Sequence, residues 1–392
     1  MSKLEELIQK LCPNGVEYRP LGEVVSFNRG KAITQKDIKA GEIPVIAGGQ
    51  KPAYFCNEYN RSGETIVIAG SGAYAGFVSY WNEPIFVSDA FSVDITDYQL
   101  VPRFLFHFLL NNQNYIYSKK KGSGVPHVYG KDISNLRIPV PPIEVQEEIV
   151  RILDKFTELS AELSAELSAR KKQYEFYRDK VLSDQFDKQT WLSLNEVILS
   201  LNTGLNPRQF FKLNTDDAVN YYVTIREIQN HKVIFSEKTD RINDRALKLC
   251  NNRSNLEKGD VLFSGTGTIG ETALIEETPH NWNIKEGVYT IKPNPQFIIS
   301  KYLIYLLENK QIQDSYMKKA AGGTVKSVPM AEMKKLKIPV PPLEEQARIV
   351  AILDRFDKIC NDISEGLPAE IEARQKQYEY YREKLLQFRI KN

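Results

Sequence analysis

The stretch Ile138–Phe156 reads IPVPPIEVQEEIVRILDKF, and Ile338–Phe356 reads IPVPPLEEQARIVAILDRF. Pro141 and Pro142, like Pro341 and Pro342, end an extended segment and suit a helix start, because proline lacks an N–H that a first turn leaves unpaired anyway. After the first copy, apolar or aromatic residues fall at Ile149, Leu153, Phe156, Leu163, Leu167, Tyr174, Tyr177 and Val181, with Ser160 and Arg170 in the remaining places. That alternating spacing of four and three is a heptad seam. The second copy repeats it at Ile349, Leu353, Phe356, Ile363, Ile371, Tyr378, Tyr381 and Leu385, with Gly366 and Pro368 predicting a kink or short break. Neither seam is stable against water alone, so the simplest solution packs one on the other.

The duplication extends in both directions. Upstream, FLFHFLL (104–110) matches YLIYLL (302–307), and SKKKGSGVPHVYGKDISNLRIPVPP matches MKKAAGGTVKSVPMAEMKKLKIPVPP. Further back, GETIVIAGSGAYAGFVSYW (63–81) pairs with GDVLFSGTGTIGETALI (259–275), and LGEVVSFNRGKAI (21–33) pairs loosely with LNEVILSLNTGLN (194–206). Downstream, RKKQYEFYRDKVL (170–182) returns as RQKQYEYYREKLL (374–386). The predicted organisation is a globule at 1–137, a helix at 138–182, a second globule at 183–337 and a second helix at 338–392. Segments such as ETIVIAG, GFVSYW, IFVSDAFSVDI and YYVTIREI are β-branched and aromatic between turn residues. One amphipathic helix per globule, near 102–119 and 299–318, completes an α+β class with β-rich heads.

Chain geometry predicts the direction of the helices. A helix over 144–182 is about 58 Å long, whereas a domain of about 150 residues is about 40 Å across. The second globule leaves the end of one helix and must feed the start of the other. Antiparallel helices place both attachment points together, and relate the two halves by a pseudo-twofold axis.

Composition narrows the class. A net charge of +2 advertises no global basic field, so any nucleic-acid contact must be local. No apolar run approaches a membrane span, and Glu5 and Glu6 in MSKLEELIQKL break the core that a signal peptide needs. Cys12, Cys56, Cys250 and Cys360 lack CxxC spacing and read as free thiols in a reducing cytoplasm. His107, His127, His231 and His280 form no metal-binding cluster.

Globule, helix, globule, helix, with PVPPxExQxxIVxILDxF opening each helix, resembles the specificity subunit of Type I DNA restriction-modification systems over essentially the whole chain. The resemblance implies two target recognition domains, each reading one half of a split duplex-DNA sequence, with an antiparallel helical spacer between them. It implies docking of two modification (methyltransferase) subunits on the helices, with restriction (translocase and nuclease) subunits joining the complex. It implies no catalysis and no cofactor in this chain, with S-adenosylmethionine, ATP and Mg on the partners. The tandem ELSAELSAELSA at 158–169 fits a spacer whose repeat number alters half-site spacing, and equally a good helix with a leucine stripe. One such unit adds about 6 Å of helix.

Other motifs are weaker. GTGTIG (265–270) matches a dinucleotide fingerprint, yet ETALIEETPHNW is too turn-rich for the required helix, and the equivalent GSGAYAG (70–76) breaks the pattern. A tight turn between strands fits better. GGTVKS lacks Walker spacing, and no NPPY or DPPY methyltransferase tetrad occurs. Lys119, Lys120 and Lys121 precede one glycine-rich loop, and Lys318 and Lys319 precede the other, which contains Lys326. Lysine beside such a loop can hold phosphate, or simply complement a helix C-terminus. Candidate base readers are Asn28, Arg29, Lys31, Gln35, Gln50, Lys51 and Tyr54 in the first globule, and Asn206, Arg208, Gln209, Arg226, Arg241 and Arg245 in the second. The globules diverge while the helices do not, so the half-sites are expected to differ. Two other classes compete: a helical scaffold with two protein-binding ends, and an oxidoreductase using GTGTIG.

Overall fold

The computed structural model describes residues 2–33, 39–184, 190–361 and 366–391. One helix runs unbroken from Ile143 to Ser183. The C-terminal segment forms two helices, Leu343–Asn361 and Leu367–Leu385, with Gly366 outside both and Pro368 in the first turn of the second. The chain divides into two units: Met1–Ser164 with Ile371–Asn392, and Ala165–Glu370. The long helix therefore contributes its first half to one unit and its second half to the other.

In the first unit a four-stranded antiparallel sheet takes the order Val25–Arg29, Ala90–Ile95, Glu64–Ala69, Val78–Asn82. A three-stranded sheet pairs Ile43–Ile46 antiparallel to Tyr54–Cys56 and parallel to Phe86–Val87. A short ribbon, Tyr18–Pro20 against Arg137–Pro139, closes the globule where the chain enters and leaves. The second unit repeats this plan. Its four strands are Ile198–Thr203, Val288–Pro293, Val261–Ser264 and Thr272–Leu274, in the same spatial order. Its three-stranded sheet again has one antiparallel and one parallel neighbour around Asn220–Val223. The ribbon recurs as Trp191–Ser193 against Lys337–Pro339.

The helices within each unit run antiparallel. In the first, the Phe156 ring lies against Tyr378 and Tyr381. Ten residues on, the Tyr18 hydroxyl accepts from the Phe388 N–H, and Tyr18 sits beside Pro139, just before the long helix begins. Moving up one helix therefore means moving down the other. In the second, Tyr177 stacks on Phe356, while Trp191 pairs with Pro339. Ile149, Leu153, Ile349 and Leu353 are fully buried, and Tyr174 and Tyr378 nearly so. Full burial of an aliphatic side chain contributes about 1.5–3 kcal/mol. Phe156, Leu163, Leu167, Phe356 and Tyr381 are half-buried. Tyr177 departs from the seam expectation: it is 39% exposed, stacked on Phe356 and meeting the Phe176 ring edge-on. Ile363 lies outside the described residues.

The repeated phrase is mostly a joint between globule and helix. Gln146, fully buried, accepts from the Val101 N–H and donates to the carbonyls of Gln99 and Pro141. Gln346 makes the same three bonds with Ile299, Phe297 and Pro341. Asp154 accepts from Arg103 and His107; Asp354 accepts from Lys301 and Tyr305.

Some element expectations need correction. Each predicted globule helix is two: Pro102–Asn111 with Gln113–Tyr117, and Ser300–Glu308 with Lys310–Met317. In the second copy Asn309 turns the chain, and its side-chain oxygen caps the N–H groups of Gln311 and Ile312. The second globule also has a helix that periodicity did not reveal, Asp244–Ser254, capped at Asn243. Its apolar face, Ala246, Leu247 and Cys250, is too short to stand out from the polar residues around it.

Candidate nucleic-acid interface

Two glycine-rich loops meet in each unit. Residues 70–76 join the antiparallel strands Glu64–Ala69 and Val78–Asn82, and 265–270 join Val261–Ser264 and Thr272–Leu274. A strand, not a helix, follows GTGTIG, so the phosphate-binding helix N-terminus of a dinucleotide site is missing there. The second loop of each pair, 121–128 or 321–328, closes on itself. Lys121 and His127 exchange both backbone bonds, as do Ala321 and Ser327. The loops are then tied together: Gly72 N–H to Pro126 O and Val128 N–H to Gly70 O in one unit, Gly267 N–H to Lys326 O and Val328 N–H to Gly265 O in the other. Gly72 and Gly267 both take φ of +83°, a left-handed conformation that residues with a Cβ rarely adopt. One backbone frame is built twice.

The frames carry different side chains. Lys119 lies over the Tyr115 ring, and Lys120 donates to the Ala73 carbonyl while covering Tyr117. Lys121 pairs with Asp132, whose carboxyl the ammonium holds below its ordinary range. The first lysine cluster therefore secures the loops of its own unit. Lys318, Lys319 and Lys326 are exposed. At the tips, Val125 and Val325 are 56% and 60% exposed. Sequence reasoning passed over this pair, although the valine keeps its register in GSGVPH and GGTVKS while its neighbours change.

Asn28, Arg29 and Lys31 lie at the exposed end of the first sheet. The Asn28 amide donates to Asp94 and Ser26, and holds its own strand. Gln50 and Lys51 are exposed, whereas the Tyr54 hydroxyl is turned inward onto the Ile33 carbonyl. Gln35 lies outside the described residues. In the second unit Arg226 bonds Asp240 and Thr224, and Arg241 covers the Tyr221 ring and reaches the Val219 carbonyl. Gln209 and Arg245 are exposed, and Asn206 is half-buried. Arg208 lies on the short helix Pro207–Phe210.

Among the described residues, no group of three or more His, Cys, Asp or Glu side chains could hold a metal ion. No helix among them is long and apolar enough to cross a membrane.

The family model for the Type I restriction modification DNA specificity domain matches residues 13–170 and again 193–373. The chain belongs to the Type I restriction-modification specificity subunit family. A type I restriction enzyme specificity subunit of Haemophilus influenzae is 31% identical over 419 residues, covering 99% of this chain and 100% of that one. The EcoR124I/EcoR124II specificity subunit of Escherichia coli is 29% identical, covering 99% and 97%. In fold, the chain resembles the crystal structure of a Type I restriction-modification S subunit from M. genitalium, with TM-score 0.57, 16% identity, and 95% and 96% coverage. A second chain, solved in work on assembly and conformational transition of the type I R-M system, has TM-score 0.59, 19% identity, and 96% and 98% coverage. As a specificity subunit, the protein is a non-catalytic component of a DNA restriction-modification complex.

Both specificity-subunit units also carry a polar groove beside the RxKQYExYRxK ending. One, about 520 Å³, is lined by Gln375, Glu379, Arg382 and Glu383. The other, about 530 Å³, is lined by the equivalent Lys171, Glu175, Arg178 and Asp179.

Proposed function

We propose that each unit reads one half of a bipartite duplex-DNA target through its paired glycine loops and the adjoining sheet end, and that the long helix sets the spacing between half-sites. The observation that carries this reading is the double use of one loop frame with dissimilar exposed side chains. A shared frame suits a shared backbone geometry in the ligand, and divergent side chains suit two different base sequences. The phosphate candidates are Lys318, Lys319 and Lys326, with Lys119, Lys120 and Lys121 supporting the first loop. The two grooves, equivalent in sequence, suit two copies of one partner, the modification subunit. S-adenosylmethionine, ATP and Mg belong on the partner subunits in this reading.

The test is methylome sequencing of a host carrying this chain with its modification partner. The expected result is one split motif. Deleting one ELSA unit from 158–169 is expected to change the number of unspecified bases while both half-site sequences persist. An unchanged spacer in a methylating strain rules out the ruler, and methylation without a split motif rules out bipartite reading.

A further inference from the structure

Aligned by sheet register, the two frames differ sharply at one place. Arg29 stands opposite Phe91 in the first unit, and Thr203 stands opposite Tyr289 in the second. A glycine follows each. A Cβ at Gly30 would lie 2.2 Å from the Ser88 oxygen, and one at Gly204 would lie 1.8 Å from the Ile284 oxygen, so the backbone path is equally tight in both. Thr203 is 7% exposed and turned inward, donating to the Val288 carbonyl and accepting from the Gly287 N–H. Tyr289 beside it is anchored through its hydroxyl to the Val328 carbonyl.

The first unit instead opens a cleft of about 100 Å³ at this point. Phe27 and Phe91 form apolar wall, while Arg29, Asp89, His127 and Tyr129 bring polar groups to it. Among the described residues, no side chain or carbonyl holds the Arg29 guanidinium. Asp89 accepts from the Ser71 hydroxyl and, as a carboxylate, keeps further acceptor sites. His127 and Tyr129 stack with 6.0 Å between ring centroids and only 7° between their planes, which gives the cleft a flat aromatic edge.

We propose that this cleft reads a single G·C pair in the half-site bound by the first unit, with Arg29 as its specificity-determining residue. A guanine edge offers two acceptors, N7 and O6, which match the guanidinium fork. The adjoining cytosine N4 amino group is a donor, which matches Asp89. No other base pair in either orientation offers two adjacent acceptors and a donor in that order. Thr203 has no equivalent reach, so the second half-site is read by other means. The inference rests on the DNA-reading function proposed above and names one of its contacts.

The experiment compares Arg29→Ala, Arg29→Gln and the native chain, each co-expressed with the modification partner, by methylome sequencing. Native chain is expected to require G·C at the position concerned. Arg29→Ala is expected to relax that position alone, its preference falling about 5- to 150-fold, with the other half-site intact. Arg29→Gln is expected to move the preference toward adenine. If Arg29→Ala stops methylation altogether, purified complexes are titrated against duplexes changed one base pair at a time. Loss of discrimination at one position then supports the contact; weakening that is uniform across sequences marks a phosphate contact and overturns it. Variants that methylate the unaltered motif also overturn it. A native chain with no split motif overturns the underlying reading instead.

Discussion

His107 is buried and His231 half-buried, yet their surroundings push their protonation in opposite directions. Around His107, burial dominates and lowers the imidazole pKa, although Asp154 opposes it. The neutral ring fits the geometry: Nε2–H donates to Asp154 at 2.7 Å, and Nδ1 accepts from the Tyr378 hydroxyl at 3.1 Å. Burial lowers His231 too, but the carboxylates of Asp357 and Glu308 on its two nitrogens outweigh it and raise the pKa to about 10. Glu308 also faces Arg178 and Thr272, and the Tyr305 ring meets His231 edge-on. A pKa raised in the folded state gives stability that is full below the unfolded value of 6.5 and lost as pH rises toward 10. His231→Gln is therefore expected to cost about 2–3 kcal/mol at pH 6 and to flatten the decline between pH 6.5 and 10. His107, depressed, works the other way: its contribution is present above pH 6.5 and fades on acidification. Denaturant titrations of native chain and single variants across pH check both signs.

At the element scale, the joint between globule and helix rests on Gln146 and Gln346. Each satisfies two carbonyls and one N–H where the chain turns from strand to helix. Gln146→Leu keeps the size of the side chain but strands those three backbone groups, so a loss of about 3 kcal/mol is expected. The same change at Gln346 should weaken the other unit by a similar amount. Chemical denaturation of the two variants tests this, and near-native stability in both would show that water replaces the amide. The ELSA repeat lies outside these joints, on a stretch where Leu163 and Leu167 are half-buried and its glutamates exposed. Deleting a unit therefore shortens the helix by about 6 Å and turns it by about 40° without touching a joint.

For the whole molecule, a net charge of +2 makes phosphate binding a matter of local placement. Lys119, Lys120 and Lys121 are engaged within their own unit, while Lys318, Lys319 and Lys326 are exposed. Replacing the exposed three by alanine is expected to lessen the slope of log affinity against log salt by about 2–3, since each phosphate contact contributes about 0.9. Replacing the first three should change the slope less and lower the melting temperature more, because Lys120 and Lys121 hold the loops. Binding of the assembled complex to target duplex over a range of salt, with melting curves alongside, separates the two effects.

The sequence by itself determined the duplication, the helical seams and the α+β class, because periodic burial and repeated phrases leave a local signature. It also exposed GTGTIG as a turn, since no helix-forming stretch follows it. It could not show that Gln146 and Asp154 are joints, that Asn309 divides a helix, or that Tyr177 stays half in water. It marked Arg29 as one polar side chain among many. Only tertiary structure decided that Arg29 opens onto a cleft with Asp89 and His127, while Thr203 at the same register is sealed inside. Hydrogen bonding between residues far apart in the chain, and the space left between them, depend on folded neighbours, and no local pattern encodes those.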